Sequence, residues 1–234
     1  MPGKVFRDNR EAGRGRKALM GPPGAVFAWR AAIAAGLSAG LAVVLMVLAL
    51  VIVFPAQAQV PPAAAAYRTD LVRTARAVWG LEAPVAVFAA QVHQESGWRP
   101  GAVSQVGAAG LAQFMPATAR WISGLDPALQ SNQPFSPPWA LRALVTYDLH
   151  LYRLAPERYG PRDRMWVALR AYNGGLGHWQ AEARNAGPTP NRDAVDRACG
   201  TARRHRSHCT ENLGYPERIL IVLQPRYLAW GPGL

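Results

Sequence analysis

The sequence predicts an all-α globular domain preceded by one N-terminal transmembrane helix. Three observations lead there. Residues 31–54 run for 24 positions without a charged side chain. From residue 67 onward, apolar residues recur at helical spacing with little β-type alternation. Prolines then stand where the first turns of successive helices can use them.

Each segment can be justified in order. Residues 1–30 carry seven basic groups against two acids, a basic tail of net charge +5. Residues 31–54 as a helix would be roughly 36 Å long, enough to cross a ~30 Å hydrocarbon core with tilt. No basic residue follows until Arg68. The positive-inside rule therefore assigns residues 1–30 to the cytoplasm and the rest to the far side. Ala56-Gln57-Ala58 is a small-residue pattern of the kind signal peptidase reads. The segment is thus either a retained anchor or a long signal cleaved after Ala58. Residues 55–66 read as a linker, and both outcomes export residues 67–234.

The exported part has 168 residues, long enough for a proper core. Residues 67–79 place Leu71, Val72, Ala75 and Val78 on one helical face. Pro84 opens a second helix whose stripe is Val85, Phe88, Ala89 and Val92. Pro116 opens a third. Pro138 opens a long fourth through Leu141, Leu144, Val145 and Leu151. Asp163 caps a fifth that includes Met165, Trp166, Leu169 and Tyr172. Residues 211–228 form the last, with Pro216 in its first turn or kinking it.

Half of the 234 residues are hydrophobic, which excludes a chain held open by charge. The net charge of +12 raises a nucleic-acid reading. Its distribution argues against one, because the basic tail serves orientation and the globular part is exported. Of the 26 basic residues 24 are arginines, a bias that genome composition can also produce. The five histidines, His93, His150, His178, His205 and His208, raise a metal reading. Cys199, His205, His208 and Cys209 fit no common zinc spacing. An oxidising compartment instead favours a Cys199–Cys209 disulfide closing a short basic loop. No metal and no cofactor is expected.

Chemistry concentrates in residues 91–118. Glu95 follows Gln91 by four positions and Val92 by three, so it extends the buried face of the second helix, just before Ser96-Gly97 ends it. A carboxyl there is partly desolvated, which raises its pKa and suits it to general acid and then base work. The alternative is a helix-terminal Glu paired with Arg99 or Arg120. The nearest acids in sequence are Glu82 and Asp126, neither in a motif.

Three ordered motifs carry a family resemblance. Glu95-Ser96-Gly97 is followed by Val106-Gly107-Ala108 and Gly110-Leu111-Ala112-Gln113-Phe114-Met115-Pro116. Ala171-Tyr172-Asn173-Gly174-Gly175 comes next, then Glu211-Asn212-Leu213-Gly214-Tyr215. Together they resemble the soluble lytic transglycosylase (SLT) domain, a lysozyme-like fold related to goose-type lysozyme. The resemblance implies cleavage of the β-1,4 bond between N-acetylmuramic acid and N-acetylglucosamine in peptidoglycan, with closure of a 1,6-anhydro ring. It implies Glu95 as the single acid/base. Ser96 would orient it or the substrate, Gln113 and Met115 would line the glycan cleft, and Gly110 would admit the sugar. Tyr172 would meet the reacting sugar and Asn173 would shape that region, with Glu211 and Tyr215 as further cleft contacts. The implied partner is the peptidoglycan glycan strand. The implied location is the bacterial inner membrane with the domain in the periplasm, or the periplasm alone after cleavage. Envelope-spanning machines and phage lysis systems are compatible partners. The rivals are a hydrolytic lysozyme on the same fold and a non-catalytic peptidoglycan-binding assembly protein. Three positions depart from the family pattern: Gly174 stands where Ala is usual, Asn212 where Thr is usual, and Pro216 where a helix former is usual.

Overall fold

The computed structural model describes residues 60–234. The expectations for residues 1–30 and 31–54, and for most of the linker, lie outside the described residues. Within them, no helix is long and apolar enough to cross a membrane.

Among the described residues eight α-helices are formed: α1 Arg68–Trp79, α2 Val85–Ser96, α3 Pro116–Ile122, α4 Pro137–Leu154, α5 Pro161–Gly174, α6 Leu176–Asn185, α7 Arg192–Arg197 and α8 Cys209–Glu217. A 3-10 turn, Pro62–Tyr67, precedes α1 and buries Ala64. The folded body therefore begins inside the segment expected to be linker. The β element among the described residues is two isolated bridges, Val103 with Ala109 and Ala109 with Phe114.

Helix α2 is the axis of the fold. Every residue from Val85 to Val92 is buried, on all sides rather than along a stripe. A helix apolar all round must be surrounded. Here α1 and the C-terminal segment from 218 to 230 pack against it. Each fully buried Val or Phe on α2 contributes about 1.5–3 kcal/mol of burial. Helix α4 lies against α1 and α5, burying Leu141, Leu144, Val145 and Leu151.

Several expected boundaries shift. α4 starts at Pro137 rather than Pro138. α5 starts at Pro161 after Gly160, so Asp163 sits in the first turn instead of capping it, and pairs with Arg192. Helices α6 and α7 were not expected; they close a second small core of Ala155, Tyr159, Val167, Trp179 and Val195. The last helix starts at Cys209, before Glu211, so of the two expected places for Pro216, the first turn or a kink, it takes the second and lies inside α8. The chain then continues as a π-helix, Arg218–Leu223, and a 3-10 helix, Gln224–Trp230. Pro216 and Pro225 each remove one backbone donor, which breaks the regular α ladder.

Candidate active site

Glu95 is the penultimate residue of α2, and the helix ends in Gly97 in the left-handed conformation (φ 58°). Trp98 follows, also left-handed at φ 68°. A tryptophan tolerates that backbone only when its surroundings hold it. Its ring is buried, stacks on Tyr67 and donates from Nε1 to the Tyr227 hydroxyl at 2.8 Å. The turn that releases Glu95 from the core is thus clamped by an aromatic cluster.

The partner of Glu95 comes from α8, 120 residues away. The buried Tyr215 donates its hydroxyl proton to Glu95 Oε1. Among the described residues Glu95 has no ion pair, and Arg99 instead donates to the Ser96 carbonyl. Burial pushes the Glu95 carboxyl up to about 7; the Tyr215 hydrogen bond pulls it down, and the nearby Glu211 charge adds to the rise. A carboxyl so placed holds its proton near neutral pH and can still lose it.

Around it stands an aromatic wall. The Tyr172 ring, on α5, stacks nearly parallel to Tyr215 at 6.5 Å between centroids. Its hydroxyl donates to the Ala112 carbonyl at 2.7 Å, tying α5 to the loop before α3. Phe114 and Tyr147 pack on Tyr172 at 5.5 and 5.3 Å. Beyond Tyr172, Asn173 donates to Glu211 Oε1 at 3.4 Å and accepts from Asn212 at 3.0 Å.

The structure brings together Glu95, Tyr215 and Tyr172, with Asn173 and Glu211 alongside. The other expected site residues are engaged differently. The Ser96 hydroxyl is buried and donates back to the Val92 carbonyl, within its own helix. Gln113 is left-handed at φ 47°, and its side-chain amide donates to the Ala102 and Gly110 carbonyls, bracing the loop. Gly110 has φ 77°, and a Cβ there would lie 1.9 Å from the Pro134 carbonyl oxygen. The close approach that requires a glycine is therefore to the protein's own backbone. Met115 is 41 % exposed, just before α3.

Sequence reasoning missed a second acid. Asp148, on α4, is fully buried beneath the site, and Gln91 donates to its Oδ1 at 3.3 Å. Burial raises its pKa well above the usual carboxylate range; the Gln91 bond opposes this and the Glu95 charge adds to it. Asp148 Oδ2 and Gln91 Oε1 both lack partners, and a protonated Asp148 supplies the donor that such a pair needs. The available signal was its place on the apolar face of α4, four residues after Leu144 and three before Leu151.

A second polar cluster supports the site from behind. Arg170, wholly buried on α5, donates to Glu182, Asp196 and Asn212. Asn212 returns a bond to the Arg170 carbonyl at 2.9 Å and reaches Asn173. Arg204 takes the other Glu182 oxygen at 2.9 Å. Cys199 and Cys209 are joined by a disulfide, closing the loop that carries Arg204.

The family model "Transglycosylase SLT domain" matches residues 74–194, just over half of the chain, and the chain belongs to that family. Among curated proteins it is similar to membrane-bound lytic murein transglycosylase F of Maricaulis maris, 37% identical over 92 residues, covering 39% of this chain and 19% of that protein. The same enzyme of Marinobacter nauticus is 34% identical over 109 residues, covering 45% and 20%. The chain thus spans about a fifth of the length of these relatives. Among solved structures it resembles the 70 kDa soluble lytic transglycosylase of Escherichia coli, with TM-score 0.51 and 24% identity over 70% of this chain and 25% of that one. That likeness shows a shared all-α, lysozyme-like fold.

Proposed function

We propose that this chain is a peptidoglycan lytic transglycosylase with Glu95 as its acid/base. The observation that carries the reading is a Glu95 carboxyl with no ion pair among the described residues, pushed up to about 7, at the end of a buried helix in a member of this family. The names of the curated relatives support the same activity.

The chemistry needs one carboxyl. Glu95 gives its proton to the glycosidic oxygen as the C1–O4 bond breaks. The substrate's acetamido group stabilises the positive centre. The Glu95 carboxylate, held by the Tyr215 hydroxyl, then takes the proton of the muramoyl O6 hydroxyl as O6 bonds to C1. One C–O bond breaks, one forms, the proton returns to Glu95, and no water is consumed. This differs from two-carboxylate glycosidases, where a second acid activates water or attacks the sugar. Asp148 is bonded to Gln91 in the interior, and Glu211 is bonded to Asn173.

The whole-chain reading rests on the uncharged apolar run and the basic tail before it. Residues 31–54 anchor the protein in the inner membrane or export it, residues 67–234 work in the periplasm, and the fold relation extends to goose-type lysozyme. The "membrane-bound" wording of the relatives' names supports the anchor. The experiment is digestion of purified peptidoglycan by the full chain, with products weighed by mass spectrometry. Anhydro-muropeptides are expected, and Glu95→Gln should reduce their release about 10²–10⁴-fold. Products heavier by one water would show a hydrolase instead, and absence of any release would favour a non-catalytic assembly protein.

A further inference from the structure

A pocket of about 430 Å³ opens beside the site, between the end of α5 and the disulfide-closed loop. Asn173, Gly174 and Glu211 form its near side, and Arg203, Arg204 and His208 its far side. We propose that this pocket binds a carboxylate of the peptide stem carried by the glycan substrate. The proposal rests on the transglycosylase reading above and adds the part of the substrate that the cleft alone does not address.

The first argument is an unused donor. Arg204 is only 6 % exposed, yet its one side-chain hydrogen bond runs from Nε to Glu182, and its buried Nη2 has no partner. A guanidinium offers five N–H donors in a planar fork suited to a carboxylate. Its carboxylate partner is divided, because Arg170 holds the other Glu182 oxygen at 2.7 Å. His178, also on the pocket wall, has a buried Nδ1 without a partner. Arg203 is exposed and has no ion pair among the described residues.

The second argument is that the backbone makes room for this arginine. A Cβ on residue 174 would lie 2.3 Å from Arg204 Nη1 and 2.4 Å from Asn212 Nδ2. The alanine usual at this position in the family would displace the guanidinium. Asn212, a second of the three departures, bridges Arg170 and Asn173. Gly174, Asn212 and Arg204 therefore form one arrangement. The disulfide joins the two ends of the loop, and at its start the Gly200 amide donates to Glu182 at 3.2 Å.

The third argument is position. Asn173 and Glu211 belong both to this pocket and to the neighbourhood of Glu95. An anion bound here lies alongside a glycan in the cleft. The muramoyl residues of that glycan bear peptide stems with free carboxylates. Glu211 on the rim repels an anion that drifts toward Glu95 and leaves the guanidinium side as the favourable seat.

The test compares two substrates with the full chain: glycan strands bearing stems and the same strands stripped of stems by an amidase. The readout is the ratio of kcat/KM on the two. Wild type is expected to favour stem-bearing strands, mainly through KM. Arg203→Gln and Arg204→Gln should each reduce that ratio about three- to tenfold, the range of a charge-assisted hydrogen bond. Amidating the stem carboxylates should reduce it in wild type as well. An unchanged ratio in Arg203→Gln and with amidated stems overturns the proposal, as does an equal loss on both substrates. If Arg204→Gln does not fold, Arg203→Gln and the amidated substrate still decide. If wild type cleaves neither substrate, the enzymatic reading fails by itself. Titration of the free stem peptide into Glu95→Gln then decides the pocket separately, with micromolar to millimolar binding that weakens in Arg203→Gln supporting it. Equal displacement by inorganic phosphate, or Arg203-dependent capture by phosphatidylglycerol vesicles in place of the stem peptide, would assign the pocket to another oxyanion and overturn the stem.

Discussion

Glu95 and Glu182 both project from helices into the protein, and their surroundings are opposite. Glu182 meets guanidiniums on both oxygens, Arg170 at 2.7 Å and Arg204 at 2.9 Å. Glu95 meets a tyrosine hydroxyl and, among the described residues, no cation. The first arrangement compensates a buried charge and locks α5, α6 and the disulfide loop together. The second leaves the carboxyl uncompensated, so burial raises its pKa into the range where a proton can be given and taken back. One residue type serves structure in one region and suits chemistry in the other, and the neighbouring cations make the difference.

The largest expected effect tests the chemical side. Glu95→Gln keeps the shape and removes the transferable proton. Release of anhydro-muropeptides should fall about 10²–10⁴-fold. A loss smaller than tenfold would falsify the assignment of Glu95.

The structural side breaks next. Arg170→Met leaves Glu182 and Asp196 with a missing partner and should cost about 3–5 kcal/mol of stability in urea unfolding. A cost below 1 kcal/mol would show that the cluster does not hold α5 in place.

A third prediction uses the same Glu95→Gln variant as a stability probe, where the sign is opposite. The folded pKa lies above the ordinary 4.5, so ionising Glu95 destabilises the fold. That penalty is absent below pH 4, grows between about 4.5 and 7, and is constant above. The glutamine variant should be more stable than wild type by about 1–3 kcal/mol at pH 8 and equal to it at pH 4. Thermal unfolding at the two pH values checks this; a pH-independent difference would refute it.

The smallest effects sharpen the comparison. In wild type the activity should fall as pH rises through about 7, when the acid form of Glu95 is lost. Tyr215→Phe removes a bond that lowers this pKa, so the limb moves to higher pH. Glu211→Gln removes a charge that raises it, so the limb moves lower. Profiles of kcat/KM on soluble glycan strands distinguish the two directions.

Much of the fold was legible because local patterns were strong. Pro84, Pro116 and the apolar spacing after residue 137 marked real helix starts. Helices α6 and α7 were not legible. Residues 176–185 hold few large apolar side chains, and burial against Tyr159 and Val195 supplies what intrinsic pattern does not. Pro216 was expected in the first turn of the last helix or as a kink in it; it lies inside α8, just before the π-helix, because the helix begins at Cys209 rather than Glu211. The Ser96 and Gln113 side chains illustrate a further limit. Their motif positions were readable, but the Ser96 hydroxyl turns back onto its own helix at Val92, and Gln113 bonds to the Ala102 backbone that only the folded loop brings near.

The order of the three motifs, the helical content and the place of Glu95 at the end of an apolar helix were determined by the sequence alone, because each depends on neighbours within a few turns. The state of that carboxyl was decided by tertiary structure. Its hydroxyl partner lies 120 residues away, the buried Asp148 comes from another helix, and Arg204 reaches the site only through a disulfide loop and a glycine that clears its path. Burial and charge pairing are properties of what surrounds a group in space, and no local spacing encodes them.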